Sequence, residues 1–268
     1  MNPEKMTTAC EVQAVILVGF GTHLSILTDD HVHLSLLPEE QRLPKTLLPV
    51  ANTPVLSLIL KWLDSAKIDN ILIICELNCR AKISEFLKIN NTSRIDLVEC
   101  NSEGVGSADA LRLFRDKIRH DFLVISSDLV LTIPPRLLID PFRSLQSALT
   151  AVYFESDGTE SKNIRDEDLF DYVGIENSKS RLVYQVSCLD VDEKIELKAG
   201  LLKKFPVIDL HTNYKDVHLY LFKRWVIDFI FEKKKISSIK NDLVPLLLKC
   251  QYNKRICERE GIDKCIQI

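Results

Sequence analysis

The sequence predicts an α/β protein: an open, mostly parallel sheet that turns mixed towards its end, with helices on both faces. Three observations carry that prediction. Apolar runs of strand length at 12–18, 70–75 and 121–127 are bounded by polar residues, the pattern of strands buried on both faces. Between them lie stretches with apolar residues at helical spacing. Strand and helix signals also alternate through the first 150 residues, which implies right-handed βαβ units.

The elements follow in order. Val12–Val18 (VQAVILV) runs into Gly19 and is the first strand. Pro54–Ala66 begins with Pro, tolerated where a helix has no N–H to lose, and continues with helical spacing. Asn70–Cys75 is the second strand, Cys79–Ile89 a helix and Ile95–Glu99 a short third strand. Ser107–Arg119 is expected to be helical, Asp121–Ser127 the fourth strand, Pro134–Ser147 a helix interrupted near Pro141, and Leu149–Phe154 another strand. Residues 155–168 are polar and charged and read as a loop.

Shorter strands are then expected at Leu169–Ile175, Arg181–Val186, Glu193–Leu197, Val207–Leu210 and Val217–Phe222. Helices are expected at Ala199–Phe205, Trp225–Phe231 and Ile239–Lys249. The second half is predicted to be a meander appended to the same sheet, in one domain over 12–250. Residues 1–11 are expected to be a flexible start and 251–268 a weakly ordered tail.

Composition excludes several functions. Thirty-five Lys plus Arg against 38 Asp plus Glu leave a formal net charge of −3, so direct nucleic-acid binding is not expected. No apolar stretch reaches the roughly 18–20 residues that span a bilayer, and no membrane partner is expected. Residues 1–11 lack the apolar segment of an export signal, which predicts a cytoplasmic chain. The 8 cysteines form no C-x-x-C pair, and Cys75, Cys100 and Cys188 lie in or beside apolar runs, so reduced, packed thiols are expected. His31 and His33 have a metal-like spacing but read as part of a solvated loop.

Glycine occurs only 8 times, and four of these form two Gly-x-Gly pairs, Gly19/Gly21 and Gly104/Gly106. Gly19-Phe20-Gly21-Thr22 directly follows a buried strand. Such a turn either lets backbone N–H groups approach a phosphate or is simply tight. Pro44, Pro49 and Pro54 recur every five residues and predict a stiff, extended path that fixes Lys45 near the Gly turn. A fixed Lys beside backbone amides is a plausible phosphate site.

Taken together, VILVGFGTHL and LPKTLLPVANTP resemble the signature of sugar-phosphate nucleotidyltransferases, G-x-G-T-R-L and P-K-x-L-x-P-V-x-N-x-P. Gly106-Ser107-Ala108-Asp109-Ala110-Leu111 is similar to that family's G-T-A-x-A-L nucleotide loop, and Ser127-Asp128 stands where its metal-binding Gly-Asp stands. The resemblance implies a Rossmann-like nucleotidyltransferase fold. It makes Gly19, Gly21, Thr22, Lys45, Gly106 and Ser107 vestigial nucleotide-binding candidates. Asp128 is implied as a metal ligand only if a nucleotide binds with magnesium.

Charge is missing where the family's chemistry needs it. The signature Arg is His23, the Gly before Asp128 is Ser127, and no Glu-Lys-Pro occurs near Tyr184–Leu189. His218 replaces the Gly of the family's N-A-G-I-Y strand, and Asp29–Arg42 is an insert at the pocket mouth. No catalytic residue and no cofactor are therefore expected. The segments SADALR (107–112), ISSDL (125–129), DEKIELKAGLLKKFP (192–206), DVHLY (216–220) and ISSIKNDLVPLL (236–247) resemble one branch of the family. That branch is the gamma subunits of eukaryotic translation initiation factor 2B, the guanine-nucleotide exchange factor for initiation factor 2.

The resemblance implies a non-catalytic scaffold that pairs with the homologous epsilon subunit, joins the other subunits and reaches initiation factor 2 through the complex. Gamma subunits continue into a β-helix of hexapeptide repeats, and no such repeat occurs in these 268 residues. Two alternatives stay open: an active sugar-phosphate nucleotidyltransferase, and a nucleotide-sensing domain without turnover.

Overall fold

The structure, a computed structural model, describes residues 12–19, 43–90, 95–100, 105–156, 170–191 and 194–266. Apart from a two-residue-strand hairpin, Pro49–Val50 with Thr53–Pro54, the strands in chain order are β1 (Val12–Val18), β2 (Ile71–Glu76), β3 (Ile95–Cys100), β4 (Asp121–Ser126), β5 (Leu149–Glu155), β6 (Asp171–Glu176), β7 (Arg181–Ser187), β8 (Asp209–His211) and β9 (Tyr214–Phe222). The α-helices are α1 (Val55–Ser65), α2 (Leu77–Ile89), α3 (Ser107–Leu113), α4 (Arg136–Ser144), α5 (Ala199–Lys204), α6 (Trp225–Glu232), α7 (Val244–Tyr252), α8 (Lys254–Glu260) and α9 (Ile262–Ile266). A six-stranded sheet runs β3-β2-β1-β4-β9-β5, and a separate three-stranded sheet runs β8-β6-β7. The chain divides into two compact units.

The first unit holds Met1–Val105, Leu113–Thr150 and Leu219–Arg224. Its centre is β1, every residue of which is buried. β1 pairs in parallel with β2 on one side (Val18↔Cys75) and β4 on the other (Ile16↔Ile125). β2 in turn pairs in parallel with β3. Leu219–Phe222 of β9 run antiparallel to β4, which makes the sheet mixed. In α1, Val55, Leu56, Ile59, Trp62 and Leu63 form the buried stripe, each large side chain contributing about 1.5–3 kcal/mol on burial. The Trp62 indole N–H donates to the Ile133 carbonyl at 2.6 Å. Asp121 ties strand ends together by accepting from Lys223 Nζ at 3.0 Å and from the Arg224 N–H at 2.8 Å.

The second unit holds Gly106–Arg112, Ala151–His218 and Trp225–Ile268. In it β6 lies between antiparallel β7 and β8. Gly174 of β6 is a close-approach glycine: a Cβ there would stand 2.8 Å from the Tyr184 Cβ of β7. Val183, Leu201 and Phe205 form a core, with Tyr184, Ile208 and Tyr252 against it.

Several expectations are corrected. The Ser107–Arg119 helix stops at Leu113, and Arg115–Lys117 form a 3-10 turn. The buried Gln13 holds that turn, donating from Nε2 to the Lys117 carbonyl at 2.9 Å and accepting from the Arg119 N–H at 3.1 Å. Pro141 does not interrupt α4 but lies inside it. No strand forms over 194–197, because the alternation of charged and apolar residues there has no partner strand among the described residues, and the chain leads through Lys198 into α5. The second-half strands do not all extend one sheet; β6, β7 and β8 form their own. Residues 254–266, expected in a weakly ordered tail, form α8 and α9, with Ile262 and Cys265 buried. The expected flexible start, 1–11, and most of the 155–168 loop lie outside the described residues.

Candidate functional site

In the first unit, candidate groups gather at the C-terminal ends of the parallel strands, where ligands bind open α/β sheets. Gly19 follows β1 with φ of 95°, a left-handed conformation that favours glycine. A Cβ on Gly19 would lie 3.0 Å from Glu76 Cδ and 3.3 Å from Glu76 Oε1. Sheet register explains this, because Val18 pairs with Cys75 and so places Glu76 beside Gly19. Gly21, Thr22, His23, His31, His33 and the Asp29–Arg42 insert lie outside the described residues.

Lys45 is 4% exposed and opens a 3-10 turn, Lys45–Leu47. The proline path around it is not extended throughout. Pro44 precedes the 3-10 turn, and Pro49 pairs with Pro54 across a short hairpin. Ala51 and Asn52 at its tip have φ of 48° and 65°, as a type I′ turn requires. Beside Lys45, Thr46 is fully buried, and its hydroxyl oxygen has no hydrogen-bond partner among the described residues.

On the other side of β1, the buried Ser127 extends the parallel ladder by donating its N–H to the Leu17 carbonyl at 3.1 Å. Asp128 is exposed, and its carboxylate accepts from the Ser126 hydroxyl. Among the described residues, no group of three or more His, Cys, Asp or Glu is arranged to hold a metal ion.

The second unit places Gly106 and Ser107 differently from a phosphate cradle. A Cβ on Gly106 would stand 2.3 Å from both the carbonyl oxygen and the hydroxyl of Ser237. The glycine is therefore required by packing against the 236–242 segment. The Ser107 hydroxyl accepts from the Ile239 N–H at 2.9 Å, and the Ala108 N–H donates to the Ser237 carbonyl at 2.8 Å. Asp109 receives the Ser237 hydroxyl and the Arg112 guanidinium. Arg112 also donates from Nε to the Ile230 carbonyl and from Nη2 to the Lys233 carbonyl, each at 2.9 Å, and to the Ile236 carbonyl.

Burial pushes the Asp109 carboxyl up, but Ser237 and Arg112 outweigh it and hold the group below the usual carboxylate value. Asp242 completes the latch by accepting the N–H groups of Ser237 and Ser238 at 2.9 and 2.8 Å. Sequence reasoning named Gly106 and Ser107 but missed Glu76, Arg112, Ser237 and Asp242. For Arg112, Ser237 and Asp242 the signal lay in the ISSIKNDL and SADALR segments themselves, which bond to each other; Glu76 belongs to neither segment.

A polar chain also crosses the second unit. The Tyr153 hydroxyl donates to Gln185 at 2.8 Å, Gln185 to Asp216 at 3.4 Å, and Asp216 accepts the His218 N–H at 2.8 Å. Nearby, a cleft of about 350 Å³ is lined by residues that include Asp171, Tyr184, Lys198, Lys240 and Tyr252. Asp171, 5% exposed, pairs with Lys240 at 2.8 Å.

The model for nucleotidyl transferases matches residues 35–261, most of the chain. The chain belongs to the nucleotidyl transferase family. Within that family it is similar to the translation initiation factor eIF2B subunit gamma of Schizosaccharomyces pombe, 36% identical over 98% of this chain and 57% of the relative. It is also similar to the eIF2B subunit epsilon of Dictyostelium discoideum, 24% identical over 75% of this chain and 29% of the relative. The chain spans a little over half the length of the gamma-subunit relatives it matches. A solved structure from Bacillus anthracis, named as a glucose-1-phosphate thymidylyltransferase in complex with a sucrose, shares the fold. It has a TM-score of 0.60 and 18% identity, and covers 91% of this chain and 83% of that one.

His218, expected as the replacement of a glycine, has φ of 56°, in the left-handed region that favours glycine.

Proposed function

We propose that this chain is a non-catalytic scaffold within the guanine-nucleotide exchange factor that acts on translation initiation factor 2, and so regulates translation initiation. The observation that carries this reading is the similarity to a gamma subunit along 98% of the chain. The site geometry supports it. Ser237 packs into the glycine of the nucleotide loop, and Ser107 and Asp109 are engaged in holding the 236–242 segment.

The partner proposed is the epsilon subunit, whose own sequence is related to this one. The other subunits and initiation factor 2 follow through the complex. A cytoplasmic location belongs to the same reading, and among the described residues no helix is long and apolar enough to cross a membrane. Gly19, Gly21, Thr22, Lys45, Gly106 and Ser107 are proposed as inherited nucleotide-site positions without a catalytic role, and Asp128 as an inherited metal position.

The test is co-purification of the 268-residue chain with an epsilon subunit, followed by GDP release from initiation factor 2 with and without it. Failure to capture epsilon at micromolar concentration overturns the scaffold role. One observation favours the active-transferase alternative: Lys45 is retained and buried. Pyrophosphate release with any sugar phosphate, abolished in Asp128→Ala, would establish that alternative.

A further inference from the structure

We propose that Ser237 is a phosphorylation site for a lysine-directed protein kinase, and that the phosphate holds the 236–242 segment away from the 106–112 segment. The proposal uses only the second unit and stands without the scaffold reading.

The sequence supplies the recognition element. Lys233, Lys234 and Lys235 stand four, three and two residues before Ser237. Lys233 pairs with Glu260 at 3.1 Å. Lys234 and Lys235 are exposed and form no ion pair among the described residues. Two exposed cations at fixed distances before a hydroxyl are a charge pattern that a kinase with an acidic substrate groove selects.

The latch decides what the modification changes. The Ser237 hydroxyl donates to Asp109 and lies 2.3 Å from where a Gly106 Cβ would stand. A phosphoryl group adds three oxygens and a charge of about −1.5 to −2 at that hydroxyl. So close an approach of Gly106 leaves no space for them. Asp242 also faces Ser237, accepting its N–H at 2.9 Å, so the phosphate would meet two carboxylates. Arg112 is the opposing charge, but its donors are engaged by Asp109 and by the carbonyls of Ile230, Lys233 and Ile236. Lys240, the next cation along the segment, pairs with Asp171 at 2.8 Å. Steric exclusion and the two carboxylates therefore favour release.

Transfer takes place when the segment opens locally and frees the hydroxyl. The Ser237 oxygen attacks the γ-phosphorus of ATP, and a new O–P bond forms as the bond to the β-phosphate oxygen breaks. ADP leaves, and the hydroxyl proton passes to the kinase's catalytic aspartate. The modified serine can neither donate to Asp109 nor return beside Gly106, so the phosphate traps the open form.

The experiment is incubation of the full chain with the catalytic subunit of cyclic-AMP-dependent protein kinase and Mg-ATP, followed by intact-mass and fragment mass spectrometry. One phosphate is expected on Ser237, lost in Ser237→Ala and kept in Ser238→Ala. In the double variant Lys234→Ala/Lys235→Ala the initial rate should fall by about tenfold, because two charge pairs with the kinase are removed. Asp109→Asn and Ser107→Ala each weaken the latch and should be phosphorylated faster than the natural chain. Circular dichroism confirms that every variant is folded. After phosphorylation, amides of 107–112 and 237–242 should exchange hydrogen faster, with those of β1 unchanged.

No incorporation into the natural chain, or incorporation at Ser238 or elsewhere in place of Ser237, overturns the site. An unchanged rate in the double lysine variant overturns the recognition element. Equal rates in the natural chain and both latch variants overturn the need for opening. Phosphorylated Ser237 with unchanged exchange overturns the release.

Discussion

Replacing Gly106 with Ala tests whether this glycine serves packing or a nucleotide. Its φ lies outside the left-handed region, so the substitution carries no conformational penalty and all of its cost is steric. The new Cβ would lie 2.3 Å from the Ser237 carbonyl oxygen and 2.8 Å from its carbonyl carbon, which are backbone atoms that cannot rotate away. Overpacking of this kind costs about 1–3 kcal/mol. Moving Ser237 away also breaks the 2.8 Å bond from Ala108, which adds about 0.5–1.5 kcal/mol. A total loss of about 1.5–4.5 kcal/mol is expected from these two terms.

Urea unfolding is the assay. The chain has 2 tryptophans, with Trp62 in the first unit and Trp225 in the second. In a Trp62→Phe background Trp225 alone reports the unit that holds Gly106. A loss below about 0.5 kcal/mol, the range of ordinary surface changes, refutes the reasoning. So does full rescue by Ser237→Ala, because removing the hydroxyl leaves the backbone carbonyl in the way.

Three further outcomes follow from other features. His218→Gly should leave stability unchanged or raise it by up to about 1 kcal/mol in thermal unfolding, since a side chain in the left-handed region is strained by about 1–2 kcal/mol and glycine's greater unfolded entropy offsets part of the gain. Asp109, held below the ordinary carboxylate value, contributes stability that is present above about pH 3.9 and lost as pH falls through its depressed folded value. Acid titration of Asp109→Asn should therefore be flatter than that of the natural chain below about pH 4. Burial pushes the Cys75 and Cys257 thiols up to about 12, so their alkylation at pH 8 should be slow in the folded chain and fast in urea. Rapid labelling of either folded thiol would contradict that environment.

The parallel half was legible because burial and strand pairing there are local to each run. The predicted first strand, Val12–Val18, coincides with β1, and the helix over Pro54–Ala66 differs from α1 only at its ends. Errors came where a distant residue decides the outcome. The alternation of charged and apolar side chains in Glu193–Leu197 imitates a strand, yet only a partner could make it one. The Ser107–Arg119 pattern continues past Leu113, but Gln13, more than a hundred residues earlier, holds the backbone at 117 and 119 in another conformation. At the candidate site, motif spacing named Gly19 and Gly106 as special. It did not reveal that Glu76 lies over one and Ser237 against the other, because neither neighbour is near in sequence.

The capping of α6 by Arg112 has a consequence for how the second unit forms. One guanidinium satisfies carbonyls at Ile230, Lys233 and Ile236, which are 118, 121 and 124 residues away in the chain. A helix end normally finds its partners within a few residues or in water. Here the end of α6 cannot be completed until the 106–112 segment arrives, so closing a long loop precedes any gain from those bonds. Amides of 107–112 and 230–239 should thus open as one cooperative unit and lose their hydrogen-exchange protection together.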